Sequence, residues 1–158
     1  MTIKSNSEEE TKKIGKIIGE MANEGLVIAL NGELGAGKTV FAQGVAEGLS
    51  VLETVSSPTY VIMNIYHGRL EFYHFDFYRL EGAEDLFDLG IEEYFYGEGL
   101  TLIEWAGKFA SALPEKRLEI NIIKDEQDLE NSRIFYLQPC GWLDGFEPVM
   151  EELKKCFC

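Results

Sequence analysis

The chain has 158 residues, 46% of them hydrophobic, and carries 28 acidic against 14 basic residues, a formal net charge of −14. Its length and apolar content predict one globular domain over residues 1–158, and no apolar stretch reaches the length of a membrane span. No basic cluster stands out, so we expect no tight direct binding to nucleic acid, which is a polyanion. Residues 1–11 hold no signal-peptide core, and Cys140, Cys156 and Cys158 lack metal-binding spacing, which predicts a cytoplasmic protein with free thiols.

Hydrophobic patterning predicts alternating helices and strands. We expect, in chain order, a helix from about residue 8 to 23, a strand at 26–30, a helix at 39–49, a loop at 50–58, an antiparallel hairpin of strands 59–67 and 69–77, short helices at 83–89 and 91–95, a strand at 100–104, a helix at 106–113, strands at 118–123 and 133–137, and a mostly helical segment at 142–155. Ser7 and Glu10 have capping-box spacing at the start of the first helix. This order favours an α/β fold with three layers and a mixed, mostly parallel central sheet that includes an antiparallel hairpin.

The most specific motif is a complete phosphate loop, Gly32-Glu-Leu-Gly-Ala-Gly-Lys38-Thr39, between the first predicted strand and the helix after it. A glycine-rich turn that opens a helix directs backbone N–H groups and the positive helix end at one point, a geometry that suits a triphosphate. Lys38 can reach the β- and γ-phosphates, and the Thr39 hydroxyl can ligate Mg²⁺. Gly35 and Gly37 let the backbone approach the ligand without a Cβ in the way.

Two carboxylates end apolar strand-like runs, Asp76 after residues 70–75 and Glu104 after residues 100–103. A carboxylate there is costly to bury unpaired, and Mg²⁺ or its water shell would offset that cost. With two such residues, one can hold the ion and the other can orient an attacking water. The alternative for each residue taken singly is that it only caps a turn.

Four further positions each have two interpretations. The loop containing Ser57-Pro-Thr-Tyr60 either closes over the γ-phosphate or is an ordinary Ser/Pro turn. For Arg79 we expect a surface ion pair with Glu81 or Glu84 in preference to a role at the phosphates.

His74, within a strand-like run, is expected to be a structural histidine with its hydrogen bonds satisfied. Trp105, next to Glu104, belongs either to the core or to the nucleotide site.

Missing motifs narrow the choice of nucleotide enzyme. The chain lacks the N-K-x-D and D-x-x-G motifs of GTPases and the L-S-G-G-Q motif of transporter ATPases. A small-molecule kinase usually needs an arginine-rich lid that clamps anionic substrates, and basic residues are sparse after Arg79. A kinase is therefore the second interpretation, and a nucleotide-gated binding module without turnover is the third.

The motifs together resemble the TsaE (YjeE) family. They are the phosphate loop, Ser57-Pro-Thr-Tyr60, His74-Phe-Asp-Phe-Tyr-Arg79, Leu102-Ile-Glu-Trp105, and Asp88-Leu-Gly-Ile91 followed by Tyr94-Phe95. The resemblance covers nearly the whole chain and is weakest after about Pro114. Members of that family are small bacterial P-loop ATPases needed for threonylcarbamoyladenosine modification of tRNA beside the anticodon. They act with TsaB and TsaD, and TsaD carries out the transfer chemistry.

The resemblance implies an ATP- and Mg²⁺-dependent ATPase that acts on a TsaB–TsaD complex. Lys38, Asp76 and Glu104 would be the catalytic residues, and Thr39 with Glu104 would hold Mg²⁺. The positions expected to contact ATP are Glu8, Thr11, Glu33, Gly35, Ala36, Gly37, Lys38, Thr39 and Val40. Val40 stands where the family commonly has a second Thr or Ser, and Phe77 replaces the usual Leu. Neither departure removes the metal-binding hydroxyl of Thr39.

Overall fold

A computed structural model describes residues 1–141 and 145–157 of the chain. The strands are Thr2–Ser5 (β1), Val27–Gly32 (β2), Met63–His67 (β3), Glu71–Asp76 (β4), Leu100–Glu104 (β5), Arg117–Asp125 (β6) and Asp128–Cys140 (β7). The helices are Glu8–Met21 (α1), Lys38–Gly48 (α2), Ala83–Asp88 (α3), Glu92–Phe95 (α4) and Glu147–Phe157 (α5), with a 3₁₀ helix at Ala106–Ala112.

The seven strands form one mixed sheet in the order β1-β7-β6-β2-β5-β4-β3. β2 lies at its centre and pairs in parallel with β5 and β6, and β5 pairs in parallel with β4. The outer pairs β3–β4, β6–β7 and β1–β7 are antiparallel, so all strands except β3 and β7 point the same way. The predicted α/β fold with a mostly parallel sheet and an antiparallel hairpin is confirmed.

Helices cover both faces of the sheet. One face packs against α1, α2 and α5, through buried residues such as Ile18, Phe41 and Leu153. The other packs against α3, α4 and the 3₁₀ helix, through residues such as Leu86 and Phe95. These are the three layers predicted from the sequence. Across the described ranges, no helix combines the length and apolarity that crossing a bilayer requires.

α1 and α2 touch backbone to backbone because glycines line their contact. A Cβ on any of four glycines would overlap a carbonyl oxygen of the facing helix: Gly15, Gly19, Gly44 and Gly48. The contact also carries the ion pairs of Glu47 with Lys12 and Lys16, at 2.9 and 2.8 Å. It places the start of α1 beside the start of α2, where a Cβ on Gly37 would lie 3.7 Å from Thr11 Cγ2.

The edge strand β1 was not predicted. Only Ile3 and Ser5 of its four residues face the core, so the segment lacks a strand's apolar signature. The predicted capping box is half formed, because Ser7 Oγ accepts from the Glu10 amide at 3.1 Å while the Glu10 carboxylate accepts from the Asn6 amide.

Two predicted elements differ in kind or extent. The strand predicted over 59–67 begins only at Met63, because the Ile62 amide donates to the Pro58 carbonyl at 2.6 Å and Ile62 adopts a φ of +69°. The helix predicted over 106–113 is a 3₁₀ helix interrupted at Phe109.

The C-terminal prediction is partly outside the described residues. Within the segment 142–155, the helix α5 is present, and positions 142–144 are not described. Cys140 and Cys156 are free thiols, and Cys158 also lies outside the described residues.

Candidate functional site

The phosphate-loop motif forms a tight turn between β2 and α2. The Ala36 amide donates to the Glu33 carbonyl at 3.0 Å, and α2 begins at once with Lys38. Gly35 and Gly37 have φ values of +76° and +101°, a region that residues with a Cβ rarely adopt. The motif therefore has the closed geometry that its glycines predict, and it is not extended.

The Lys38 side chain is buried against this loop. Its ammonium donates to the carbonyls of Gly32 and Glu33 at 2.7 and 2.9 Å. The ring of Trp105 lies beneath it, with 4.3 Å from Nζ to the ring centroid. Burial lowers the pKa of Lys38, and the charges of Glu104 and Asp76 act in the opposite direction. Trp105 is half-buried and packs on the core as well as on Lys38, and its place in a nucleotide site stays a prediction.

Three parallel strands bring their carboxyl ends together at the loop. Glu104 ends β5 directly opposite Leu30 of β2, and Asp76 ends β4 directly opposite Glu104. Both carboxylates are buried, with 3% and 2% of their surface exposed. The structure therefore places Lys38, Asp76 and Glu104, the three predicted catalytic residues, at one edge of the sheet.

Glu104 has a histidine as its partner. The Nε2 atom of His74 lies 2.9 Å from Glu104 Oε1, and His74 is fully buried. The other ring nitrogen, Nδ1, has no hydrogen-bond partner among the described residues. The prediction of a fully satisfied structural histidine is therefore wrong, since only one nitrogen is paired.

Asp76 anchors the segment that contains the Ser-Pro-Thr-Tyr motif. Its Oδ2 accepts from Thr59 Oγ1 at 2.8 Å and from Ser57 Oγ at 3.5 Å, and its Oδ1 accepts from the Tyr78 amide at 2.8 Å. The Asp76 amide in turn donates to the Ile62 carbonyl. Asp76 thus both caps a turn and holds residues 57–62, here called the 57–62 loop, against the end of β4.

Arg79 does not form the ion pair that its sequence neighbours suggested. Within the part of the chain that the structure describes, no carboxylate lies at salt-bridge distance from it, and its guanidinium instead covers the ring of Tyr60 at 5.3 Å. Both side chains are exposed. Arg79 therefore contacts the outside of the 57–62 loop.

The remaining predicted contact positions lie in the loop, in the first turn of α2 and near the start of α1. Thr11 is buried beside Gly37, with its hydroxyl 2.8 Å from that of Ser5, and Glu8 is exposed one turn earlier on α1. Thr39 and Val40 are half-buried in the first turn of α2. Of the loop residues, Glu33 and Gly35 are exposed and Ala36 is buried.

Sequence reasoning missed two basic residues beside the loop. Arg133 of β7 donates through Nε to the Ala36 carbonyl at 3.1 Å and through Nη2 to the Gly35 carbonyl at 3.4 Å. Lys124 Nζ lies 3.4 Å from where a Cβ on Gly35 would stand. No local signal could have identified them, because only the pairing of β6 and β7 next to β2 brings them there.

The comparisons with known proteins decide the family. The family model for "Threonylcarbamoyl adenosine biosynthesis protein TsaE" matches residues 5–134. The chain belongs to the TsaE family. The resemblance predicted from the motifs is therefore confirmed, and the matched range holds the loop, both carboxylates, His74 and Arg133.

TsaE relatives match most of this chain. A tRNA threonylcarbamoyladenosine biosynthesis protein TsaE from Bacillus subtilis is 46% identical over 148 residues, covering 93% of this chain and 89% of the relative. One from Treponema pallidum is 45% identical over 118 residues, covering 75% and 87%. A crystal structure of YdiB from Bacillus subtilis superposes with a TM-score of 0.80 at 35% identity, covering 99% of this chain and 95% of that one. The TsaE fold thus extends past the range of the family model.

Proposed function

We propose that this chain is a Mg²⁺-dependent ATP-binding and ATP-hydrolysing accessory protein of tRNA threonylcarbamoyladenosine biosynthesis, acting on a TsaB–TsaD type complex. The observation that carries the proposal is the placement of Lys38, in a closed phosphate loop, beside two buried strand-end carboxylates in a member of the TsaE family. Its relatives are named for that tRNA modification.

The residues at the loop fit a magnesium-bound triphosphate. The positive-φ glycines have no Cβ that would obstruct a ligand, and Lys38 supplies a cation at the base of the loop. Glu104 Oε1 is engaged by His74, and Oε2 has no hydrogen-bond partner within residues 1–141 and 145–157. Carboxylate and hydroxyl oxygens are ligands that Mg²⁺ prefers, so Glu104 and Thr39 are the residues that would hold the ion.

Each residue then has a task in hydrolysis. Lys38 and the loop amides bind the phosphates and stabilise the charge that develops on them. Bound Mg²⁺ would neutralise further phosphate charge. Asp76 is the remaining carboxylate, and it orients the attacking water or reports the γ-phosphate to the 57–62 loop through Thr59. Glu8, Thr11, Glu33, Ala36 and Val40 would supply the remaining contacts with ATP.

The charge of the chain supports an accessory role. A net charge of −14 disfavours direct binding of this chain to tRNA, so we propose that the partner proteins contact the tRNA. Hydrolysis would reset the partner complex between turnovers, and the isolated chain would be slow because part of the site comes from the complex.

The test is steady-state release of phosphate from γ-labelled ATP, with and without a TsaB–TsaD complex. We expect slow release by the chain alone and faster release with the complex. Equal rates would contradict the accessory role. Label appearing on a small metabolite instead of as free phosphate would support a kinase.

Separate Asp76→Asn and Glu104→Gln variants distinguish hydrolysis from binding alone. A hydrolase needs both carboxylates for turnover, and we expect both variants to lose it. Turnover retained in either variant would remove that carboxylate from the proposed mechanism, and nucleotide-dependent docking without measurable turnover in the unsubstituted chain would identify a binding module.

A further inference from the structure

We propose that His74 is a positioning residue that orients the Glu104 carboxylate for the metal ion, an inference that rests on the proposed function. His74 belongs to β4 and faces the same side of the sheet as Phe72 and Asp76, two residues away on either side. Its ring stacks on Phe72 at 5.6 Å and 12°. Among the described residues, the ring makes one polar contact, the one to Glu104.

The hydrogen-bond partners of the ring indicate which of its two nitrogens carries the hydrogen. A carboxylate that holds a metal ion accepts hydrogen bonds and does not donate, so the hydrogen between the two groups sits on His74 Nε2. A hydrogen on Nδ1 would be buried with no acceptor in the part of the chain that the structure describes. The arrangement is therefore an Nε2–H donor directed at Glu104 Oε1.

Packing alone does not explain a histidine at this position. An apolar side chain in the row formed by Phe72, Leu100 and Leu102 would be buried without leaving a polar atom unpaired. In the register of β4 and β5, His74 lies opposite Leu102, and Asp76, two residues later, lies opposite Glu104. The His74 ring therefore reaches Glu104 diagonally across the two strands. Leaving Nδ1 unpaired costs stability, and we infer that the histidine is kept at this position because it orients the Glu104 carboxylate.

As a consequence, the two carboxylate oxygens of Glu104 have different roles. With Oε1 fixed by His74, rotation of the carboxylate is restricted and Oε2 stays on the side away from the ring. Groups that hydrogen-bond to metal ligands set ligand orientation, and their removal typically lowers metal affinity or activity about 10- to 100-fold. We therefore expect His74 to act on the metal-dependent part of nucleotide binding and not on the part that Lys38 supplies.

The test measures ATP affinity by calorimetry, in excess Mg²⁺ and in EDTA, for the unsubstituted chain, His74→Leu and His74→Gln. We expect His74→Leu to lose about 10-fold in affinity with Mg²⁺ and less than about 2-fold without it. His74→Gln keeps an N–H donor and should recover much of the difference. An equal loss in both conditions would indicate a merely structural role and overturn the proposal.

A double-substitution cycle with Glu104→Gln separates this inference from the proposed function. If His74 acts through Glu104, His74→Leu should have no further effect on Mg²⁺-dependent affinity once Glu104 is replaced, and additive losses would overturn the inference. If the unsubstituted chain shows no Mg²⁺-dependent ATP binding, the proposed function fails first.

Nitrogen-15 NMR of the imidazole offers a readout independent of ATP. We expect the hydrogen on Nε2 of His74, and a hydrogen on Nδ1 alone would contradict the inference.

Discussion

Thr59 Oγ1 donates a hydrogen bond to Asp76 Oδ2 over 2.8 Å, which ties the 57–62 loop to the carboxyl end of β4. The same carboxylate lies opposite Glu104 in the neighbouring strand. A change at the phosphates that reached Asp76 would therefore reach the loop directly, and the Thr59 bond is the shortest link between them.

Replacing Thr59 by Val should loosen the 57–62 loop while leaving the fold intact. A hydrogen bond to a charged acceptor contributes about 1.5–3 kcal/mol, so amide hydrogen exchange in the loop should speed up by about 10-fold or more. Ser57→Ala is the comparison variant, because Ser57 Oγ lies 3.5 Å from the same oxygen and 2.7 Å from Thr59 Oγ1, so it supports the Thr59 bond without replacing it and its loss should matter less. Equal exchange rates in the unsubstituted chain and Thr59→Val would contradict the anchoring role.

Lys38→Ala should weaken ATP binding by about 10- to 100-fold, the loss expected for one charge-assisted hydrogen bond to phosphate. The fold should persist, because within residues 1–141 and 145–157 the ammonium contacts the loop carbonyls and the Trp105 ring and no other element. Calorimetry gives the affinity, and circular dichroism checks the fold. Unchanged affinity would contradict the role given to this side chain.

Arg133→Gln should lower ATP affinity by about 5-fold, because the guanidinium holds the Gly35 and Ala36 carbonyls and so preorganises the loop. Arg117→Gln is the control, since Arg117 begins β6, the strand that pairs with β7, but bonds to Glu119 and the Pro114 carbonyl. The measurement is the dissociation constant for ATP of both variants. A matching loss in the control would remove any specific role for Arg133.

Gly44→Ala should destabilise the protein by about 2 kcal/mol, because the new Cβ would overlap the Lys12 carbonyl oxygen and overpacking costs about 1–3 kcal/mol or more. The gain in helix propensity, about 1 kcal/mol, offsets only part of this. Gly82→Ala is the control, as a Cβ there meets nothing within 4 Å. Urea unfolding of both variants measures the difference, and similar stabilities would contradict the close helix contact.

Glu47→Gln should reduce stability at neutral pH but not in acid. Hydrogen bonds from Lys16 and Lys12 lower the pKa of Glu47, so its stabilising effect is complete above the ordinary glutamate value of about 4.3 and disappears as the pH falls through the lowered value. The pairs are exposed, which limits the effect to about 1 kcal/mol or less. Unfolding in urea at pH 7 and pH 3.5, with and without 1 M salt, tests this. A difference as large at pH 3.5 as at pH 7 would exclude the ion pairs as its cause.

The sequence could predict the elements whose signals are local. The apolar run before Gly32, the glycines of the loop and the carboxylates that end two strands each mark their place within a few residues. Parallel strands then bring Asp76 and Glu104 together without further information, because their carboxyl ends share one edge. This is why the centre of the site was predictable.

Contacts that depend on register or on distant pairing were not predictable. His74 meets Glu104 only because β4 and β5 pair in one particular register. Residues Thr59 to Ile62 have the composition of a strand, but their contacts with Asp76 override that preference. Arg133 reaches the loop across 97 positions of the chain.

At Gly15, Gly19, Gly44 and Gly48 the backbones of α1 and α2 meet without a side chain between them. A displacement of α1 toward α2 would therefore be transmitted directly to α2, whose first residue is Lys38. A protein bound to the outer surface of α1 could in this way shift Lys38, at the base of the phosphate loop, without contacting the nucleotide.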